Sequence, residues 1–547
     1  MNAALMSASA QLYELARADF LDRSRRYALF VTIALIIWYG SVLLPPFDSN
    51  YITIGFGATR GIYNSAWVGA TFAVMAATLL SGPAFYLVKN SIRRDMTTGV
   101  GQILAGARIT TRAYLIGKFF SNWLYLSTIT IALAVAALCM QLVRAEVSHI
   151  DLWALWSPFL LITTPAFAMT AAFAIFFESI RVLRGSAGNI LFFFVWSATL
   201  SPAIVAVSAE SEFVRSIGDI YGANITLTSM AYAARPTFGG ADPMDHAHVG
   251  FSIQSDDKWK KDFKTFKWDG IHWTPTLLFT RVFWLFVALG LTSMGGMFFE
   301  RFDTTKGRPS GARESSAQSR AMRGGFVSSA GTLLLSAPLV ISGIAARWKF
   351  GAMIDAECRV ALKGRNMWWY LFGGGMCVAQ ALVIDEVIRA ALLGTGWLWM
   401  LPALSPGGNR ERQFGVDTIL WSAPHPLTRQ LTASYFAGVL LTALAGAGAA
   451  IQFALSGDSS HLFAWWVGVF FIPALAIFCG VWSGVARLFE MLHVFLWYGA
   501  AMNRAPYIDY GGFSAAGMFM GLPKIFIAIT IALLCGAYIG RMRQARR

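Results

Sequence analysis

The chain has 547 residues, of which 56% are hydrophobic and only 13% charged. Soluble domains carry about a quarter charged residues, so a chain this long and this apolar belongs in lipid. Its net charge of +15 does not point to nucleic acid, because the basic residues sit in short clusters at the ends of apolar runs and form no stripe interleaved with stacking aromatics.

Residues 1–26 are polar and amphipathic and read as no cleavable signal. Arg23, Arg25 and Arg26 precede the first apolar run, which makes it an uncleaved span with its N-terminus inside. Runs of about 20 apolar residues, the length that crosses a bilayer core, begin near Tyr27, Ala66, Leu115, Leu152, Asn189 and Pro275. A second set begins near Met367, Ala390, Leu431, Leu462, Leu488 and Met518. The loop after the second run holds Lys89, Arg93, Arg94, Arg108, Arg112 and Lys118 against the single acid Asp95; Arg181 and Arg184 follow the fourth run. These alternate loops are therefore expected on the cytoplasmic side.

The segment 209–275 is a long loop expected outside. In it, DPMDHAH offers Asp242, Asp245, His246 and His248, a weak ligand pattern better read as a solvated loop. The alternating lysines and aromatics of KWKKDFKTFKWDGIHW (258–273) are expected to lie against lipid headgroups. Residues 301–350 read as a cytoplasmic linker. Their apolar part, 326–345, contains Pro338 and would put later basic clusters on the wrong side if it crossed, so it is read as not spanning.

The chain repeats itself. LARADFLDRSRRY matches ECRVALKGRNMWWY through Arg17/Arg359 and Arg23/Arg365, an offset of 365 − 23 = 342. RRDMTTGVGQILAGA (93–107) matches NRERQFGVDTILWSA (409–423) through Arg94/Arg410, Asp95/Glu411, Gly99/Gly415, Val100/Val416, Ile103/Ile419 and Leu104/Leu420, an offset of 415 − 99 = 316. PAFAMTAAFA at Pro165 matches PALAIFCGVW at Pro473, an offset of 473 − 165 = 308. Three collinear matches with the same charge asymmetry predict an all-α polytopic membrane protein of about twelve transmembrane helices in two parallel six-helix repeats, 1–300 and 351–547.

At these residues the sequence resembles the permease family of ABC type-2 transporters, in the version where two six-helix permeases are fused. The resembling features are the amphipathic segment holding Arg17 to Arg26, RGIYNSAWVGA (60–70), the loop RRDMTTGVGQILAGARITTRAYLIGK (93–118) and the restart at KGRNMWWYL (363–371). The resemblance implies an exporter subunit of the bacterial inner membrane with cytoplasmic termini. It implies further that two ABC ATPase subunits dock at coupling loops carried by Arg94, Asp95, Gly99, Val100, Arg410, Glu411, Gly415 and Val416. Read from the residues alone, such a loop is a charged pair beyond the bilayer, a Gly-Val and a short amphipathic stretch. It could equally be an ordinary interfacial helix with charges reaching water; its occurrence twice favours docking.

An ATPase needs GxxxxGKS/T. Gly117-Lys118 is followed by Phe119, and LSPGGN (404–409) reads as a turn, so ATP is expected to bind on the partner. HExxH, GxSxG and CxxC patterns are absent from the chain, and its five cysteines form no disulfide framework; neither an enzyme nor a metal or cofactor site is expected. The apolar runs contain almost no Asp, Glu, Lys or His, which argues against the alternative of a stand-alone secondary carrier with two six-helix halves.

Overall fold

The computed structural model describes residues 8–24, 27–46, 51–107, 109–144, 146–205, 211–253, 264–299, 349–365, 367–416 and 426–545. The linker with 326–345, Ile419 and Leu420 lie outside them. The protein is helical and integral to a membrane, and it divides into two compact units, Met1–Lys306 and Gly307–Arg547. Among the described residues seven helices are long and apolar enough to cross a bilayer, or eight if one bent pair counts as a span.

In the first unit, α1 (Ala8–Ser24) leads into α2 (Tyr27–Leu43). Strands β1 (Tyr51–Phe56) and β2 (Thr59–Gly61) follow. Helices α3 (Ser65–Met75) and α4 (Ser81–Val88) make one continuous rod through a π turn, Ala76–Leu80. Two short helices come next, α5 (Ser91–Thr97) and α6 (Val100–Gly106), then α7 (Thr111–Arg144). At 1.5 Å per residue its 34 residues span about 50 Å, well beyond a hydrocarbon core of about 30 Å, so its ends project into polar surroundings. A second rod joins α8 (Leu152–Pro158) to α9 (Thr164–Ser179) through a π turn at Phe159–Thr163. Helices α10 (Ser186–Val205), α11 (Glu212–Ile217) and α12 (Ala223–Ala234), strands β3 (Ala247–Ile253) and β4 (Lys264–Phe266), and α13 (Pro275–Phe298) complete the unit.

The wider turns free backbone carbonyls that side chains take up. Trp196 Nε1 of α10 donates to Thr78 O at 3.2 Å; separately, Thr163 Oγ1 donates across to Ala73 O, which also accepts the Ala76 N–H, at 3.1 Å and ties the two rods together.

The small sheet departs from the all-α expectation. Its order is β3-β1-β2-β4, with β1 antiparallel to both β2 and β3 and β2 parallel to β4. The 209–275 segment is thus folded structure over much of its described length. Phe266 and Trp268, expected against headgroups, are instead buried, with Trp67 edge-on at 5.7 and 6.1 Å. Each ring loses apolar surface to its neighbours, which outweighs a half-wet position at the lipid boundary. In DPMDHAH, Asp242 caps a short helical turn through Met244 N–H, and His248 pairs within β3, its imidazole pushed below its ordinary pKa by burial.

The second unit starts with α14 (Lys349–Leu362) and α15 (Met367–Leu382). Then come α16 (Glu386–Trp399), α17 (Leu401–Leu404) and α18 (Arg410–Phe414). Helices α19 (Pro426–Ala445) and α20 (Ala447–Leu455) meet at Gly446 with a bend of 63°. Helices α21 (Ser459–Ser483), α22 (Arg487–Leu496), α23 (Ala515–Phe519) and α24 (Leu522–Ala545) follow. LSPGGN forms the turn between α17 and α18, with Gly408 at φ +77°.

One sequence argument needs correction. Lys118, Glu178, Arg281, Glu490 and His493 are 0–2% exposed, so the helical interiors do hold ionisable side chains. They are sparse in their apolar stretches or near the ends, with Glu490 and His493 about one turn apart on α22, and too few to change the composition of those stretches.

Candidate coupling site

Helix α4 ends at Lys89, and the chain turns at Asn90 through a left-handed conformation (φ +78°) that Asn tolerates. The turn is fixed from α9. The Glu178 carboxylate, 1% exposed, accepts the N–H groups of Asn90, Ser91 (3.0 Å) and Ile92 (2.6 Å). A carboxylate at the positive end of a helix satisfies donors that the helix leaves free.

Arg94 and Asp95 of α5 face a cluster of opposite and like charges. Arg94 is paired with Asp19 and, at 2.7 Å, with Asp22, both on α1. Asp95 Oδ2 accepts from Tyr114 Oη at 2.7 Å and from Lys118 Nζ at 2.7 Å. The same ammonium lies 3.0 Å from Asp19, which also receives Ser121 Oγ at 2.7 Å and Arg23 at 3.0 Å. Three acids therefore meet three bases. Burial alone would raise the Asp19 pKa, but Arg23, Lys118, Ser121 and Arg94 overcome it and hold the carboxyl at about 2.

Beyond the clamp, Gly99 at φ +77° starts α6, a conformation that a side chain would strain. No atom lies within 4 Å of where its Cβ would be. Helix α6 then presents Val100 and Ile103 to the outside, 42% and 75% exposed.

The second loop is held in a related way. Arg410 Nη1 donates to Glu357 of α14 at 3.0 Å. Glu411 accepts from Arg541 of α24 at 2.8 Å and from Gln430 of α19 at 2.5 Å. Gly415 at φ +66° ends α18, again with open space around it, and Val416 is 43% exposed.

All eight sequence-nominated residues thus lie at two turns, but they divide into two classes. Arg94, Asp95, Arg410 and Glu411 face inward and lock the loop. Gly99, Val100, Gly415 and Val416 face outward.

The partners correspond between units. Tyr114 and Gln430 each hold the second residue of the charged pair, at 430 − 114 = 316, the offset that relates Arg94 to Arg410. Lys118, bonded to Asp19, maps at 434 − 118 = 316 onto Ser434, whose hydroxyl bonds Glu357. The acids that hold Arg94 and Arg410 are separated by 357 − 19 = 338. The match through Arg23 and Arg365 gives 342, about one helical turn out of register with the contacts. Arg23 grips Asp19, whereas Arg365 donates to Pro402 O at 2.8 Å.

Asp19, Tyr114, Lys118, Glu178, Glu357, Gln430 and Arg541 went unnoticed as site residues in the sequence. A signal existed for Lys118, a lone cation inside LIGKFF. None existed for Arg541, which sits in a basic run that the positive-inside pattern already explains. Comparison of the chain with protein-family models, with curated proteins and with solved structures gave no match in any of the three.

Proposed function

We propose that the chain is the membrane-spanning subunit of an ATP-driven exporter of the ABC type-2 permease kind. In this reading it has twelve transmembrane helices in two parallel six-helix halves, and two ABC ATPase subunits supplied by another chain dock at the two charged loops. The supporting observation is that each unit grips an Arg-acid turn from a preceding helix and from the next long helix, while leaving a glycine and a valine beyond it open to the outside. An inward-facing clamp transmits force, and an outward-facing apolar tip offers a surface to a partner. Nucleotide displacement of the ATPases would move α5 and α18 as short levers on the long helices bonded to them.

The test is co-purification with candidate ABC ATPases. Stable co-elution and ATP hydrolysis stimulated by the membrane subunit support the reading. Cysteine labelling of positions 94 and 410 from opposite faces of the membrane would contradict it.

A stand-alone ion-coupled carrier is the second reading, favoured by Glu490 and His493, 2% and 0% exposed on α22. Uptake driven by a proton gradient without ATP would select it.

A further inference from the structure

The end of the second unit remote from the Arg410 turn holds a cluster of polar side chains that the coupling loop does not use. Helix α21 is about 37 Å long at 1.5 Å per residue; Gly480 near its end packs on Gly407 beside the loop, and His461 lies in its first turn. Asp458 caps that turn. One carboxylate oxygen accepts the His461 N–H at 3.0 Å, and the other lies 2.6 Å from Nδ1 of the same residue. The second ring nitrogen, Nε2, is shut off from solvent and has no hydrogen-bond partner; the nearest carboxylate is Glu386, 3.7 Å away in the first turn of α16.

The ring also touches α20, the arm beyond the 63° bend. Phe453 of α20 stacks on the imidazole with centroids 5.4 Å apart, and the Arg389 guanidinium lies 5.0 Å from the centre of the same phenyl ring. At the bend, Trp397, Gln380 and Trp465 donate to the carbonyls of Thr442, Ala445 and Gly446 at 3.0–3.1 Å, so three other helices fix that end of the arm. Its far end rests on the His461 cluster. The charged groups facing the ring are Asp458 from its own helix and Glu386 and Arg389 from α16; α20 has no charged residue. Asp385 is engaged in capping α16 through Ile388 N–H. The loop at 509–514 approaches the ring only at Gly512, and its acid, Asp509, accepts the amides of Gly511, Phe513 and Ser514.

We infer that His461 is a pH-operated latch that fastens α16 to α21, and with them the arm α20, when its imidazole takes up a proton. A neutral ring that gives Nδ1–H to Asp458 turns the Nε2 lone pair toward the Glu386 carboxylate, and the two repel. A proton on Nε2 makes both nitrogens donors, and the same contact becomes a charge-assisted hydrogen bond. Rotation of the Glu386 side chain, 56% exposed, closes the remaining gap from 3.7 Å and gives the buried nitrogen a route to solvent protons. Histidine is the side chain that ordinarily changes charge between pH 5 and 8. Asp458 stays ionised over that range: burial would raise its pKa, but the His461 amide and imidazole and Arg389 outweigh it and hold the carboxyl below its ordinary value. The latch does not rest on ATPase docking. The orientation of the proposed function fixes only the side whose pH reaches it, the outer one.

The experiment is amide hydrogen exchange on the purified full chain in detergent, at pH 5.5 and pH 7.5, reading the amides of α20 and of the first turn of α16. Comparing wild type with His461→Gln at one pH cancels the intrinsic pH dependence of exchange and the titration of every other histidine. At pH 5.5 these amides should exchange about threefold more slowly in the wild type than in His461→Gln, the size expected of a half-exposed ion pair. At pH 7.5 the two should exchange alike. Glu386→Gln should lose the slowing at pH 5.5 and match His461→Gln. Equal rates for wild type and His461→Gln at both pH values would overturn the inference, and so would a slowing as large at pH 7.5 as at pH 5.5, which packing of the ring alone would give. A slowing undiminished in Glu386→Gln also overturns it, because Asp458 would then be the only acceptor. Should His461→Gln fail to fold, wild type against Glu386→Gln, changed at an exposed side chain, must show the same difference confined to pH 5.5. Failure of these measurements leaves ATPase co-elution untouched, so the two ideas fall separately.

Discussion

Lys118 and Asp95 form a buried ion pair at 2.7 Å, on α7 and α5, with 2% and 6% of their side chains exposed. The lysine is the only described base shared between Asp95 and Asp19, so it binds the short loop helix and α1 to the same long helix. Buried charges of this kind are costly to isolate, because each loses water and depends on its partner.

Lys118→Met keeps an unbranched side chain one atom shorter and removes the charge. It should leave Asp95 without a cation and Asp19 with fewer, destabilising the first unit by about 3–5 kcal/mol. Thermal unfolding in detergent measures this. Lys118→Arg should recover part of the loss, since the charge returns in a bulkier, planar form.

Acid should release the same clamp in a defined window. The folded Asp19 pKa, about 2, lies below the ordinary value of 3.8, so its ionisation contributes stability that is fully present above about pH 4. The contribution, roughly 2 kcal/mol, is lost as pH falls through the folded value toward 2. Stability measured against pH should therefore fall over this range in the wild type. In Asp19→Asn the fall should be shallower from a lower plateau.

The outward-facing residues should behave oppositely. Ile103 is 75% exposed, so Ile103→Asp should change the unfolding midpoint by less than about 2 °C. It should nevertheless abolish or strongly weaken ATPase co-elution if α6 is a docking surface. Gly99→Val meets open space but a positive φ of 77°, which costs about 1–2 kcal/mol. It should insert into the membrane normally and lower stimulated ATP hydrolysis at that loop.

Arg541→Gln tests the second clamp. Glu411 would keep Gln430 and lose its buried cation, and the end of α24 would lose its tie to α18. A destabilisation of about 3 kcal/mol is expected. The double variant Arg541→Gln/Glu411→Gln should recover stability, because no buried charge is left unpaired; a double-mutant cycle reads the coupling.

Much of the helical framework was legible because lipid imposes one simple rule, a long apolar run with its backbone satisfied internally. Among the described residues seven helices, or eight with the bent pair, are long and apolar enough to span, and they cover eight of the twelve expected runs; those beginning near Tyr27, Asn189, Met367 and Leu488 fall on shorter helical segments. The sheet was not legible. Its strands are three to seven residues long, and β1 pairs with β3 nearly two hundred residues away, a contact no local pattern encodes. The charged pairs of the loops were found because they recur in both units. Their partners were not, because Asp19 and Glu357 sit one turn apart in the matched segments, and a match of letters followed the arginines rather than the acids. The bend at Gly446 also escaped notice, since composition does not distinguish a bent rod from a straight one.

The π turns at Ala76–Leu80 and Phe159–Thr163 carry a consequence for chain length. A π turn accommodates one residue more than an α turn, and deleting that residue would rotate everything after it by about 100°. The segment after the first turn leads to Asn90, and the segment after the second carries Glu178, the carboxylate that receives the Asn90 and Ile92 amides. Shortening one rod alone would swing donor and acceptor out of alignment. Deleting either extra residue alone is therefore expected to undo the Glu178 cap on the Asn90 turn.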